Sequence, residues 1–174
     1  QVAVPATLPP EAEAPPSWLP WYILLGLALG GLLAWAGTRA AAGARWARWV
    51  FGAAAAAWSL LAGFVGMLLV LVLATDHVFM YWNENLFLAT PISLALVVLV
   101  PMALRRGSAL RLAERTARAV AGLAVLGVVV GLLPVSGQDN AIFLALATPA
   151  HLGLWWGLQV ARVREGHAEV AGRR

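Results

Sequence analysis

The sequence predicts an all-α polytopic membrane protein with five transmembrane helices, a periplasmic N-terminus and a cytoplasmic C-terminus. Three observations support this class. Of its 174 residues, 61% are hydrophobic and only 11% are charged, whereas soluble domains carry about 25% charged residues. The apolar residues form five long runs, and every basic residue is an arginine placed at one side of those runs. Water-soluble globular and disordered classes are therefore excluded.

Five apolar runs are long enough to be membrane spans. They cover residues 18–37, 49–74, 86–104, 117–134 and 141–161, and a span needs about 20 apolar residues. The runs are continuous and lack the alternation of barrel strands, which favours helices. The fourth run is the weakest, because Arg118 lies at its inner end, from where its side chain can reach the interface. We therefore expect a five-helix transmembrane bundle over residues 18–161.

Two short segments flank the predicted bundle. Residues 1–17 hold five of the ten prolines together with Glu11 and Glu13, a composition typical of an extended linker. Residues 162–174 form an arginine-rich tail. We interpret the first segment as a Pro-rich periplasmic linker and the second as a cytoplasmic tail.

The distribution of the twelve arginines predicts the orientation. They lie in the first and third connections, at the start of the fourth run and in the tail, and none lies in residues 1–17, 75–85 or 135–140. Arginine-rich loops stay in the cytoplasm, so the net charge of +4 sets orientation and does not indicate nucleic-acid binding. The absence of lysine, with abundant alanine, glycine and arginine, indicates a GC-rich bacterial genome and thus a multi-pass bacterial inner-membrane protein.

The composition also limits the chemistry of this chain. It has no cysteine, which excludes disulfides, thiolate metal sites and a cysteine nucleophile in these residues. No nucleotide-binding loop or zinc-protease signature is present, and the three histidines are scattered, so no metal site is predicted. No complete catalytic constellation is visible, and whether the protein is an enzyme stays open.

Polar residues concentrate in the two arginine-free connections, which predicts a candidate site at the outer leaflet. A related pattern follows each connection, because Asn85 and Asn140 each precede a Leu-Ala-Thr-Pro sequence that ends at Pro91 and Pro149. A coincidence of composition explains the pattern equally well. The functional interpretation is that two matched, kinked helices flank one site and that the two connections contact each other. The candidate residues are Asp76, His77, Asn83, Asn85, Gln138, Asn140 and His151.

Asp76, His77 and His151 are the ionisable members of this set. A carboxylate beside an imidazole suits acid–base chemistry, although helix capping and interfacial solvation explain Asp76 and His77 equally well. His151 lies about 15 Å inside the fifth run, where an ionisable residue is functional or satisfied by a partner helix. We expect it to face the bundle interior, towards the third helix. Its partner would be either a backbone carbonyl freed near Pro149 or a polar side chain of the third run, Thr90 or Ser93, of which Ser93 is nearer in depth. No cofactor is predicted; haem or pigment at His151 is disfavoured, because a b-type haem needs a second histidine at equal depth.

Small residues and tryptophans predict how the helices pack. The pairs Gly26/Gly30, Gly127/Gly131 and Gly153/Gly157 each have the spacing that lets two helices approach closely. Four of the nine tryptophans lie inside predicted spans and are expected to pack, namely Trp35, Trp58, Trp155 and Trp156. The others lie at span ends, where tryptophan anchors the interface.

Several short motifs carry a resemblance. The sequences TDH at 75–77, NENL at 83–86, GQDN at 137–140 and PAH at 149–151 resemble the membrane region of the Lnb-type lipoprotein N-acyltransferase-like family, over residues 10–160. In that family a periplasmic domain that carries the nucleophile precedes the membrane bundle, and the present sequence has no counterpart of it.

The resemblance implies a membrane module that supports lipid or lipoprotein acyl chemistry, with membrane lipids and lipoproteins as partners. The alternative is a non-catalytic accessory subunit of a larger respiratory or photosynthetic membrane complex, with other membrane subunits as partners.

Overall fold

A computed structural model describes residues 17–73, 75, 84–107, 109–133 and 140–172. Within these ranges the regular secondary structure is all helical, as predicted. The helices are α1 (Leu19–Ala41), α2 (Arg45–Leu73), α3 (Ser93–Arg106), α4 (Leu110–Gly131) and α5 (Ala141–Ala171), and a 3₁₀ turn (Glu84–Phe87) precedes α3.

Three of these helices, α1, α2 and α5, are long and apolar enough to cross a membrane. Their large apolar side chains are extensively exposed, as expected for surfaces that face lipid: Leu24, Leu27, Leu60, Leu61 and Phe64 are each more than half exposed. A soluble protein would bury such side chains. The helices therefore support the prediction of a membrane protein with transmembrane helices.

The third apolar run differs from its predicted form. It is not one helix over 86–104, because α3 begins only at Ser93 and has 14 residues, about 21 Å of rise. Pro91 lacks an N–H group and disfavours helical geometry at Thr90. The chain therefore forms a 3₁₀ turn and an irregular segment before α3, and Leu88 and Thr90 in that segment are buried.

The two Thr-Pro sequences, which were expected to kink two helices in the same way, have different structures. Pro149 lies inside α5, whereas Pro91 lies outside any helix. The expectation of two matched, kinked helices is therefore wrong. The reason is tertiary, because the helix around Pro149 is packed closely along its length against α1, and Pro149 itself contacts Gly30.

Two helices extend further towards their charged ends than predicted. α4 begins at Leu110 rather than at residue 117, after a turn in which Gly107 adopts φ 67°. Its first two turns are amphipathic, with Leu110, Ala113 and Ala117 buried. α5 continues to Ala171, so most of the arginine-rich tail is helical.

The five helices form a closed ring. Each helix packs against its neighbour in sequence, and α5 closes the ring against α1. The shared core draws on all five helices and includes Leu33, Phe51, Leu96, Val120 and Leu154.

Helices α1 and α5 are parallel and make the closest approach in the described part of the bundle. Along this contact Gly26, Gly30 and Gly37 of α1 lie against Ala145, Pro149 and Gly157 of α5, in the same order. Gly153 lies against the carbonyl group of Gly30. The predicted role of the Gly26/Gly30 and Gly153/Gly157 pairs is therefore confirmed, since backbone meets backbone where no side chain intervenes.

The ring has two chemically different ends. Gly37 lies beside Gly157, Gly52 beside Leu104, and Gly107 beside Glu165, so the C-terminal ends of α1, α3 and α5 meet the N-terminal ends of α2 and α4. We call this the arginine end. The described arginine side chains lie towards it: Arg39, Arg45, Arg48, Arg105, Arg111, Arg115, Arg118, Arg162 and Arg164. The opposite end, with the 3₁₀ turn and the start of α5, is called the polar end.

Candidate functional site

The structure describes three of the seven predicted site residues. Asn85 lies in the 3₁₀ turn, and its carbonyl accepts hydrogen bonds from the N–H groups of Leu88 at 3.0 Å and Ala89 at 2.7 Å. Asn140 is buried at the start of α5. Asp76, His77, Asn83 and Gln138 lie outside the described residues, so the expected contact between the two connections stays a prediction.

His151 is the centre of the described site. Its side chain is 1% exposed. Its Nε2 lies 2.8 Å from the carbonyl oxygen of Leu88, and its Nδ1 lies 3.3 Å from Nε1 of Trp58. An indole N–H only donates and a carbonyl only accepts. Nδ1 must therefore accept and Nε2 must donate, which fixes the neutral Nε2–H tautomer.

These two hydrogen bonds join three parts of the ring. Trp58 lies in α2, Leu88 in the irregular segment before α3, and His151 in α5. The indole and imidazole rings also contact each other, with centroids 5.4 Å apart and an interplanar angle of 60°. His151 thereby supplies a donor to a carbonyl at the point where the third run is not helical. A backbone group at membrane depth needs such a partner.

The prediction that His151 faces the bundle interior is confirmed, but its expected partners are wrong. Ser93 is fully buried, yet its hydroxyl makes no hydrogen bond to any described residue. The break at Pro91 displaces the start of α3 and brings the Leu88 carbonyl to the imidazole instead. Trp58, expected only to pack, also donates a hydrogen bond.

Three buried hydroxyl groups lie on the elements that surround His151. They belong to Ser59 beside Trp58 in α2, Ser93 at the start of α3 and Thr148 one turn before His151 in α5. None has a hydrogen-bond partner within the described part of the chain, although buried polar groups are normally paired. On α2, α3 and α5 the bundle therefore contains buried hydroxyl groups that no described residue satisfies.

His151 is not arranged to hold a metal or haem, because protein groups occupy both ring nitrogens. Among the described residues, no three His, Asp or Glu side chains come close enough to ligate a metal ion. The arrangement therefore organises the backbone of the third run and does not present a free base or ligand.

A second buried ionisable group, Glu114, was not identified from the sequence. Its side chain is fully buried in α4. Its Oε1 accepts a hydrogen bond from Nε1 of Trp155 at 3.2 Å, and its Oε2 accepts one from Nη1 of Arg162 at 2.5 Å. Arg118 lies 4.0 Å from the same carboxylate. This cluster joins α4 to α5 at the arginine end.

A signal for Glu114 exists in the sequence. Glu114 lies four residues after Leu110 and three before Ala117, on the apolar stripe of α4. A carboxylate on a buried stripe needs a cationic partner, and the tail supplies Arg162. The buried Glu114 carboxylate therefore serves to attach α4 to α5 through Arg162.

Comparison of the chain with protein-family models, with curated proteins and with solved structures gave no significant match. The resemblance to the Lnb-type lipoprotein N-acyltransferase-like family therefore stays a prediction that depends on the short motifs alone.

Proposed function

We propose that the protein is a multi-pass module of the bacterial inner membrane that supports lipid or lipoprotein acyl chemistry at the outer leaflet. It would form the membrane part of a larger acyltransferase-like protein. The observation that carries this proposal is the irregular segment before α3, whose Leu88 carbonyl is held by His151. Non-helical backbone at membrane depth is tolerated where it is buried in protein or lines a cavity, and membrane proteins use such interruptions to build polar sites.

The proposal includes five spans. α4 has 22 residues, about 33 Å of rise, and the third span combines α3 with the 3₁₀ turn and the irregular segment. The parallel arrangement of α1 and α5 fits an odd number of crossings. The arginine end would face the cytoplasm, because arginine-rich ends are retained there, and the polar end would face the periplasm.

Site-specific labelling tests this orientation. Because the chain has no cysteine, Ser136→Cys and Gly172→Cys each introduce a single thiol. We expect a membrane-impermeant maleimide to label position 136 in intact spheroplasts and position 172 only after permeabilisation. Leu126→Cys, at an exposed position in the middle of the fourth apolar run, is the matched control and should resist the reagent in both states. Equal labelling of positions 136 and 172 in intact spheroplasts would contradict the proposed topology.

The acyl function is tested in the native bacterium. We expect deletion of the gene to remove or alter the N-terminal acyl chain of lipoproteins, as measured by mass spectrometry of their N-terminal peptides. Re-expression of the full reading frame should restore the acyl chain. Lipoproteins of unchanged mass in the deletion strain would refute the acyl function and leave the membrane assignment intact.

The second candidate function is a non-catalytic accessory subunit of a larger membrane complex. It is favoured by His151, because both its ring nitrogens are engaged by the protein itself. Purification from native membranes in mild detergent discriminates the two functions. A stoichiometric polytopic partner together with unchanged lipoproteins favours the accessory subunit, whereas loss of lipoprotein acylation favours the first proposal.

A further inference from the structure

A groove of about 540 Å³ opens between α2 and α3 at the arginine end. Three arginines, Arg45, Arg48 and Arg105, line it together with Trp49. Its volume is within the range of small-molecule sites. The groove extends along α2 as far as Ala56, two residues before His151's partner Trp58. Two such residues of a helix point about 200° apart, so the groove opens on a different face of α2 from the candidate site described above.

Among the described side chains, no acidic group compensates the charge of the groove. All three arginines are exposed, and none forms a salt bridge with a described acidic residue, since the described ion pairs all involve Glu114. No acidic residue lines the groove. The neighbouring cavity of about 330 Å³ shares Arg48 and is lined by Arg164 as well, but it also contains the carboxylate of Glu165. With three arginines and no carboxylate in its described lining, the groove is complementary to an anion.

The rest of the groove wall is apolar. Beyond the arginines the lining consists of small and aliphatic residues, namely Gly52, Ala53, Ala56, Pro101 and Leu104. From Gly52 to Ala56 the wall extends about one helical turn, roughly 6 Å, away from the charged mouth. Trp49 is 73% exposed at the mouth, where tryptophan suits the boundary between headgroups and acyl chains. A fitting ligand is anionic at one end and apolar beyond it.

We propose that this groove binds an anionic glycerophospholipid, with its phosphate at Arg45, Arg48 and Arg105 and an acyl chain along Gly52, Ala53 and Ala56. Guanidinium groups bind phosphate oxygens through paired hydrogen bonds, and basic pockets between membrane helices suit such headgroups. The proposed orientation places this lipid in the cytoplasmic leaflet, and that placement rests on the proposed function. The groove itself depends only on the described contacts.

Native mass spectrometry of the purified full chain tests the site. The chain in nonionic detergent is titrated with phosphatidylglycerol and with phosphatidylcholine of identical acyl chains. We expect phosphatidylglycerol to be retained in preference to phosphatidylcholine. Each arginine near a membrane surface contributes about a fivefold change in affinity, so the triple variant R45Q/R48Q/R105Q should bind phosphatidylglycerol on the order of a hundredfold more weakly. Equal retention of both lipids by the unmodified chain would overturn the proposal.

A matched variant separates the groove from general charge. R39Q/R111Q/R115Q removes three exposed arginines from the same end but outside the groove, and we expect it to retain phosphatidylglycerol. Equal losses in the two triple variants would overturn the site. The comparison is valid when both triple variants elute as monodisperse protein.

A steric variant tests the acyl-chain part. Ala53→Phe fills the apolar wall while leaving the charge unchanged, and Ala119→Phe places the same side chain at an exposed position on α4 outside the groove. We expect only Ala53→Phe to weaken phosphatidylglycerol binding. Unchanged binding in Ala53→Phe, with displacement by millimolar inorganic phosphate, would assign the arginines to a free anion and overturn the lipid site.

The outcome is independent of the acyl function, because the titration uses purified protein in detergent. Selective phosphatidylglycerol binding together with unaltered lipoproteins in the deletion strain would retain the lipid site and reject the proposed function. Loss of lipoprotein acylation in that strain, together with equal retention of the two lipids, would support the proposed function and reject the lipid site.

Discussion

Gly153→Ala should destabilise the bundle, because the added methyl group would collide with the backbone of α1. A Cβ at position 153 meets the carbonyl group and Cα of Gly30, and backbone atoms of a packed helix cannot move aside as a flexible side chain can. α1 and α5 would have to separate along their closest contact. Overpacking of this kind costs roughly 1–3 kcal/mol, and Gly153→Val should cost more because it adds two further methyl groups.

Two control variants accompany Gly153→Ala. At Gly166, also in α5, and at Gly31, also in α1, a Cβ would meet no neighbouring atom within 4 Å. Alanine is favoured over glycine in a helix by up to about 1 kcal/mol, so Gly166→Ala and Gly31→Ala should leave the stability unchanged or raise it. Thermal unfolding in detergent, followed by tryptophan fluorescence, measures the difference. Equal melting temperatures for Gly153→Ala and Gly166→Ala would show that the α1–α5 contact is looser than described.

The glycine contact could be predicted from spacing, but its partners could not. Gly26/Gly30 and Gly153/Gly157 have the interval that places small residues on one helix face, and both pairs lie in the contact between α1 and α5. The third pair separates, because Gly127 lies against Phe87 and Leu88 while Gly131 lies against Leu144. Spacing within one helix therefore identifies a close contact without revealing which element fills it.

The helix boundaries show what hydropathy can and cannot detect. Uncharged runs located α1 and α2 within a few residues, because most of the side chains of these helices are apolar and lie on the surface of the bundle. The start of α4 was missed, because Arg111 and Arg115 lower the mean hydropathy although Leu110 and Ala113 are buried. A hydropathy average over all faces of a helix does not detect an amphipathic turn. Glu114 lies in that turn, so its burial was not predicted either.

The two Thr-Pro sequences show the same dependence on tertiary contacts. Each proline removes one backbone donor, which is visible in the sequence. Whether the helix then bends or stops depends on what satisfies the backbone nearby. α5 continues through Pro149 beside Gly30. The chain before Pro91 is not α-helical, and the Leu88 carbonyl there accepts a hydrogen bond from His151. The presence of His151 in the interior was predictable from its depth, but its partner in the irregular segment was not.

His151→Leu should lower the stability of the bundle strongly, because it leaves two buried groups without partners. The Leu88 carbonyl loses its donor and the Trp58 indole N–H loses its acceptor. Each buried unsatisfied group costs about 1–3 kcal/mol, so the two together should cost roughly 2–6 kcal/mol. His151→Gln retains both a donor and an acceptor, and we expect a smaller loss.

Trp58→Phe combined with His151→Leu isolates the contact between these two side chains. Trp58→Phe removes the donor, so in the double variant the missing acceptor no longer leaves an indole N–H unpaired. The combined loss in unfolding free energy should therefore be smaller than the sum of the two single losses. Thermal unfolding in detergent gives the stabilities, and N-terminal mass spectrometry of lipoproteins gives a separate functional readout. Additive losses would show that the Trp58–His151 contact contributes nothing. If His151→Gln kept the melting temperature but abolished lipoprotein acylation, His151 would serve chemistry, and the role assigned to it here, holding the irregular segment before α3, would be wrong.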